Sequence, residues 1–212
     1  MKSPIPAQYI PAIAGVVAVA GLEFFLVVAV TLQYLRPDQD WVTTPLSFYL
    51  IGPHSGWLIA AYFALALSIF LVGWGFHMDL LPPLRSRAIL ALFGIAASGV
   101  CTVAVAHTDL PGAGHLTPEG MLHNTAAIVA FAAAGIGMLL QAWWLRYDSR
   151  WRDRHRIAFL LAVLAFAALW TYVLLPWLPR GATQKFVILL IVLWLLMAAR
   201  WLTLTWTREL ET

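Results

Sequence analysis

Apolar residues run along this chain in six long blocks, roughly 10–34, 55–76, 87–106, 120–143, 157–175 and 184–203, parted by short polar breaks. Each block matches the roughly 20 predominantly apolar residues that carry a helix across a bilayer. The breaks hold residues that interrupt helices: Arg36-Pro37-Asp38, Leu81-Pro82-Pro83, Leu110-Pro111-Gly112, Tyr147-Asp148-Ser149 and the stretch from Pro176 to Gly181. The pattern predicts an all-α membrane protein, a six-transmembrane-helix bundle that occupies residues 1–212 as one domain. We find no internal repeat or low-complexity tract, and no connection long enough to fold as a soluble domain. Lys2 ahead of the first block resembles the start of a signal peptide. The apolar run from about Ile10 to Tyr34 is longer than the roughly 7–15 residues of a signal-peptide core, which favours a retained first helix. Cleavage near Ala20 is the alternative.

Composition strengthens this reading. The chain is 62% hydrophobic and 11% charged, with a mean hydropathy of +0.82, whereas soluble domains carry roughly 25% charged residues. No soluble core of this size could bury so much apolar surface, so lipid must cover it. The single cysteine, Cys101, excludes an intramolecular disulfide and a Cys-rich metal site. Long single-sign runs with interleaved aromatics are absent, so nucleic acid is not an expected partner.

Charge then orients the bundle. The N-terminus, the second and fourth connections and the C-terminus carry ten cations, namely Lys2, Arg85, Arg87, Arg146, Arg150, Arg152, Arg154, Arg156, Arg200 and Arg208. The remaining connections carry Arg36, Arg180 and Lys185. By the positive-inside rule the first group is cytoplasmic. The expected protein is therefore multi-pass in the cytoplasmic (inner) membrane, N-in/C-in. Trp41, Trp57, Trp170 and Trp177 fall toward the outer boundary. Trp74, Trp143, Trp144, Trp151, Trp201 and Trp206 fall toward the inner one, and Trp194 lies deep. Gly94, Ser98 and Gly99 in the third block, with the alanine-rich stretch Ala126 to Ala134 in the fourth, suggest that these two helices pack closely.

Candidate chemistry gathers in the outer connections. In the first, Thr44 suits an N-cap and Pro45 a first helical position, which predicts a short interfacial helix at about 45–51 with Ser47 in its first turn. The second holds His107, Asp109, His115, Glu119, His123 and Asn124. A neutral imidazole and a carboxylate can ligate zinc. Alternatively, His123 can act as a general base oriented by Asp109. A hydrogen-bonded loop clasp is the bland reading. The spacing of His107, Asp109, His115 and His123 matches no established metal motif. Arg180 and Lys185 flank the start of the sixth helix, where an anionic headgroup could bind or the two cations could simply anchor the interface. Glu23 lies near the middle of the first helix, where an ionisable residue is expected to be functional or to be hydrogen-bonded, here to Ser68 or Ser98.

Several of these segments resemble, in order and placement, the bacterial and archaeal six-span membrane family catalogued as domain of unknown function 998. The resemblance is carried by Pro45-Leu46-Ser47, Gly56-Trp57, Thr108-Asp109, the segment from Gly120 through His123-Asn124, and Gln184-Lys185. It covers about Thr43 to Trp201 and implies a six-span fold. It also implies that Ser47, Asp109, His123 and Gln184 occupy recurrent polar positions. This chain departs from the pattern at His107, where proline is expected, and at Lys185, where arginine is expected. His115 is not part of the pattern.

These residues lead to one principal expectation and two competitors. The principal one is binding of a membrane lipid or other amphiphile at the outer leaflet, with or without its modification. Asp109, His123 and Ser47 would do the chemistry, and Gln184, Arg180, Lys185, Asn124 and Glu23 would contact the substrate. A non-catalytic accessory subunit, as a homo-oligomer or within a larger membrane complex, is the second. Haem held between His107 and His123, or zinc or another divalent metal, is the third; otherwise no cofactor is expected.

Overall fold

The computed structural model describes residues 9–109 and 116–205. Among these residues there is no β-strand, and the helices are α1 (Ile10–Leu35), α2 (Ser55–Asp79), α3 (Arg87–Val105), α4 (Pro118–Leu145), α5 (His155–Leu174) and α6 (Arg180–Thr203). All six, α5 together with the 3₁₀ turn Arg152–Arg154 before it, are long and apolar enough to cross a membrane. The protein is a multi-pass integral membrane protein. The first, third and fifth connections lie at what we call the odd end of the bundle. The second and fourth connections lie at the even end, as do the start of α1 and the end of α6.

Short connections make neighbouring helices antiparallel, and they close a ring in chain order, with α6 returning to α1. α2 also touches α6, whereas α4 and α6 barely meet, and α5 is the least buried helix. In lipid the gain from packing comes from close fit rather than from leaving water. Small residues supply that fit. A Cβ on Gly15 would lie 2.7 Å from the Ala199 carbonyl oxygen, and one on Gly73 would lie 2.6 Å from the Phe93 side chain. Phe93 in turn stacks on the buried Trp194.

α3 and α4 do pack closely, but through Gly99 alone of the three small residues expected there. A Cβ at Gly99 would meet the Ala126 carbonyl oxygen at 2.9 Å, whereas Gly94 has nothing within 4 Å. Ser98 faces outward and donates its hydroxyl to the Gly94 carbonyl at 2.9 Å. Position 99 is about 100° round the helix from position 98, so the two cannot share the contact face.

The helix starts follow local chemistry. Ser86 caps α3 by accepting the Ile89 N–H, and Thr117 caps α4 by accepting the Gly120 N–H, with Pro118 in the first helical position. At the even end the Arg150 guanidinium grips the buried Asp148 carboxylate through Nε (3.1 Å) and Nη2 (2.8 Å). Trp151 Nε1 donates to Asp79 at 2.6 Å, tying the fourth connection to the end of α2. Burial pushes the Asp148 carboxyl up, but the hydrogen bonds and charge of Arg150 outweigh it and hold the group below the usual carboxylate range.

Candidate functional site

The odd end is roofed by the first connection. The predicted interfacial helix is there as a 3₁₀ turn, Leu46–Leu50, with Leu46, Tyr49 and Leu50 buried. It starts after Pro45 rather than at it, because Pro45 is extended (ψ 150°) and Thr44 does not cap it. Arg36, buried just beyond α1, holds the far side of the roof. Its Nη1 donates to the Ile51 carbonyl at 2.8 Å and the Pro53 carbonyl at 3.2 Å, while Nε and Nη2 reach Asp38 at 2.9 and 2.7 Å. Hydrogen bonding to Arg36 holds the Asp38 carboxyl down at about 2. Burial raises the Tyr49 phenol above its ordinary range. Gly52 (φ 85°) and His54 (φ 66°) then turn the chain into α2.

The start of α6 holds the near side. The backbone N–H groups of Gly181 and Ala182 donate to the Thr43 and Val42 carbonyls at 3.1 and 2.8 Å. Lys185 Nζ donates to the Trp41 and Thr44 carbonyls at 2.7 and 3.0 Å, and Gln184 Oε1 accepts the Leu46 N–H at 2.8 Å. A Cβ on Gly181 would lie 2.5 Å from the Thr44 oxygen, so only glycine allows this approach. Arg180 Nη1 donates to the Tyr172 carbonyl at 2.6 Å and its guanidinium lies 3.7 Å from the Tyr172 ring centroid. The expected anion site at this helix start thus has its first amides and both its cations engaged by the protein's own carbonyls.

Beneath the roof is a cavity lined by α1, α2, α3, α4 and α6. Counting its mouth it holds about 650 Å³ of unfilled space, of which about 70 Å³ is wide enough for the centre of a water molecule. That describes a narrow slot rather than a chamber. Ser47, His123 and Gln184 all line it, so three of the residues picked from sequence come together. Tyr62 lines it as well, and Phe25, Leu65, Ile69, Phe131, Ala134, Ile188 and Val192 are among its apolar walls. At about 1.5 Å per residue, Tyr62, His123 and Gln184 lie within roughly 11 Å of the odd-end starts of their helices, while Ile69, Ala134 and Val192 lie roughly 18–24 Å down. The slot is polar near the roof and apolar below.

His123 is 3% exposed. Its Nδ1 lies 2.7 Å from the Ala106 carbonyl oxygen at the end of α3. A carbonyl can only accept, so Nδ1 carries hydrogen, and in the neutral ring Nε2 is left with a lone pair. The Leu46 N–H likewise fixes the Gln184 amide, because its oxygen is the acceptor and the NH₂ is left over. Among the described residues Nε2 of His123, the Gln184 NH₂ and the hydroxyls of Ser47 and Tyr62 have no hydrogen-bond partner. Ser47 and His123 therefore share a cavity without forming a bonded pair.

The other candidates lie elsewhere. Asp109 accepts the Thr117 N–H (3.0 Å) and hydroxyl (2.7 Å), so it braces the start of α4, while the acceptor that orients His123 is a main-chain carbonyl. His107 is exposed and pairs with Glu119 at 2.6 Å. Asn124, next to His123 on α4, is exposed and does not line the cavity. Glu23 meets neither serine. Ser68 and Ser98 donate to the carbonyls four residues back in their own helices, and Glu23 pairs with Arg200 at 3.2 Å on the outer surface. His115 lies outside the described residues. Among the described residues no group of three or more His, Cys, Asp or Glu side chains comes together as a metal site.

Sequence reasoning missed Tyr62, Arg36 and Thr117. Thr117-Pro118 carries the cap-then-proline signature of a helix start and could have been found. Nothing in the local sequence singles out Tyr62 from other aromatics in an apolar helix. With the geometry in place, comparison with known proteins adds one finding. The family model described as Protein of unknown function (DUF998) matches residues 18–201, so the chain belongs to that family. No curated protein and no solved structure matches it.

Proposed function

We propose that this protein binds a lipid or other amphiphile in the slot beneath the first connection, at the outer leaflet of the cytoplasmic membrane. The observation that carries this reading is the meeting of Ser47, His123, Gln184 and Tyr62, from four separate elements, at the polar end of an otherwise apolar slot. Mostly apolar walls with a few convergent polar groups are the usual lining of small-molecule sites. Among the described residues eight cations at the even end against three at the odd end support a cytoplasmic even end, with both termini inside. Binding extends to modification if His123 Nε2 takes a proton from a hydroxyl seated against it. Native mass spectrometry of the detergent-purified protein tests the reading. We expect a co-purifying amphiphile that is lost in the slot-filling variant Ala127→Phe; equal retention by wild type and variant sinks it.

A second reading, an assembly subunit, is favoured by one observation. The Glu23–Arg200 pair sits on the outward surface, 53% and 66% exposed, at the middle of α1. Charges facing hydrocarbon are costly unless another protein surface covers them. Light scattering in mild detergent tests this: an oligomer dispersed by Glu23→Ala supports it, and a monomer disposes of it.

A further inference from the structure

We infer that the ligand of this slot is an amphiphile whose head is an uncharged hydroxyl, an aliphatic alcohol rather than an ester, a carboxylate or a phosphate. The inference rests on the proposed function and names its ligand class.

Two of the four polar groups in the slot have a fixed hydrogen-bonding direction, while the hydroxyls of Ser47 and Tyr62 can turn either way. The Ala106 carbonyl fixes the His123 tautomer at 2.7 Å, so the neutral ring presents a bare lone pair at Nε2 from a side chain that is 97% withdrawn from solvent (3% exposed). The Leu46 N–H fixes Gln184 at 2.8 Å, so the amide presents donors. A ligand head that satisfies both must donate to one and accept from the other within one small group. A hydroxyl does this with its single hydrogen and two lone pairs. An ester or ketone offers acceptors only, so it cannot itself pair with the imidazole nitrogen and loses that hydrogen bond relative to the alcohol.

Charge argues the same way. Among the described residues no Lys, Arg, Asp or Glu lines the slot. The three odd-end cations, Arg36, Arg180 and Lys185, all donate to main-chain carbonyls. A phosphate or carboxylate drawn into the slot would leave water and meet no Lys or Arg side chain there, and buried charges persist only when paired.

Four probes with the same chain isolate the head: hexadecan-1-ol, methyl hexadecanoate, hexadecanoic acid and hexadecyl phosphate, competed pairwise against the detergent-solubilised protein and read by native mass spectrometry. The alcohol is expected to outcompete the ester by about tenfold, the scale of one buried hydrogen bond. The informative variant is His123→Asn. Its amide NH₂ can still donate to the Ala106 carbonyl and keep α3 and α4 tied, but it places no acceptor where Nε2 stood. This variant should bind alcohol and ester equally. Wild-type preference for the acid or the phosphate, or an alcohol preference that survives in His123→Asn, overturns the inference while leaving the site intact. If Ala127→Phe weakens none of the four probes, the slot itself is not the binding site and the underlying proposal falls instead.

Discussion

The two ends of this bundle solve the same problem, fixing irregular chain at a membrane boundary, with a different balance of means. At the even end Arg150 is matched to carboxylates, buried Asp148 at 2.8 Å and Asp79 at 3.5 Å, and Trp151 adds its indole N–H to Asp79. At the odd end cations are spent on backbone: Arg36, Arg180 and Lys185 reach carbonyls of residues 51, 53, 172, 41 and 44, and only Arg36 also has a carboxylate. The even end adds these charge-to-charge locks to carbonyl contacts of its own, such as those of Arg85 to Leu80 and Met78. The odd one turns charged side chains into donors for a roof, so the space under that roof stays free of charge. A neutral slot beside three cations is the result.

Removing one group at a time should expose that difference. The largest effect is expected from Asp148→Ala. Breaking a buried ion pair costs roughly 3–5 kcal/mol, discounted here to about 3 because the Arg150 side chain is partly exposed. Thermal unfolding in detergent should show the loss, with amphiphile binding at the odd end unchanged; if binding fails with stability, the ends are not independent. Arg36→Met comes next. It strands the Ile51 and Pro53 carbonyls at a cost of about 2 kcal/mol, and because the roof loosens, binding should weaken with it. Stability loss without any binding loss would show that the roof does not shape the slot.

Asp109→Asn separates a structural carboxylate from a catalytic one. It keeps one acceptor for Thr117 and should cost about 1 kcal/mol, the scale of a helix cap, while bound amphiphile stays within twofold of wild type. Abolished binding or turnover in a folded Asp109→Asn protein would return Asp109 to the site. The smallest effect concerns pH. The Asp38 carboxyl is held at about 2, below its ordinary value of 3.8, so its contribution is fully present above about 4 and is lost only as pH falls toward 2. Unfolding curves of wild type and Asp38→Asn should therefore run parallel from neutral pH down to about 4 and converge below it.

Length and hydropathy made the six helices legible, since nothing but a membrane span explains such blocks. The ends were less so. α6 begins at Arg180 rather than near 184 because its first amides find carbonyls in the loop of residues 42 and 43, a tertiary event with no local signature. α4 begins at Pro118 rather than 120, and there Thr117 gave a local one. Ser47, His123 and Gln184 were readable through the family resemblance, and they meet. The partner of His123 was not, because a carbonyl of Ala106 has no side chain to announce it. The Arg200 partner of Glu23 was hidden for a related reason: the rest of α1 is almost wholly apolar, so its sequence does not say which side faces neighbours and which faces lipid.

The imidazole that hangs from Ala106 is moored by the ring nitrogen that bears hydrogen whether the ring is neutral or cationic. A proton can therefore arrive at Nε2 and depart again while the mooring, and with it the spacing of the third and fourth helices, stays put. Proton transfer at that nitrogen would need no mechanical stroke.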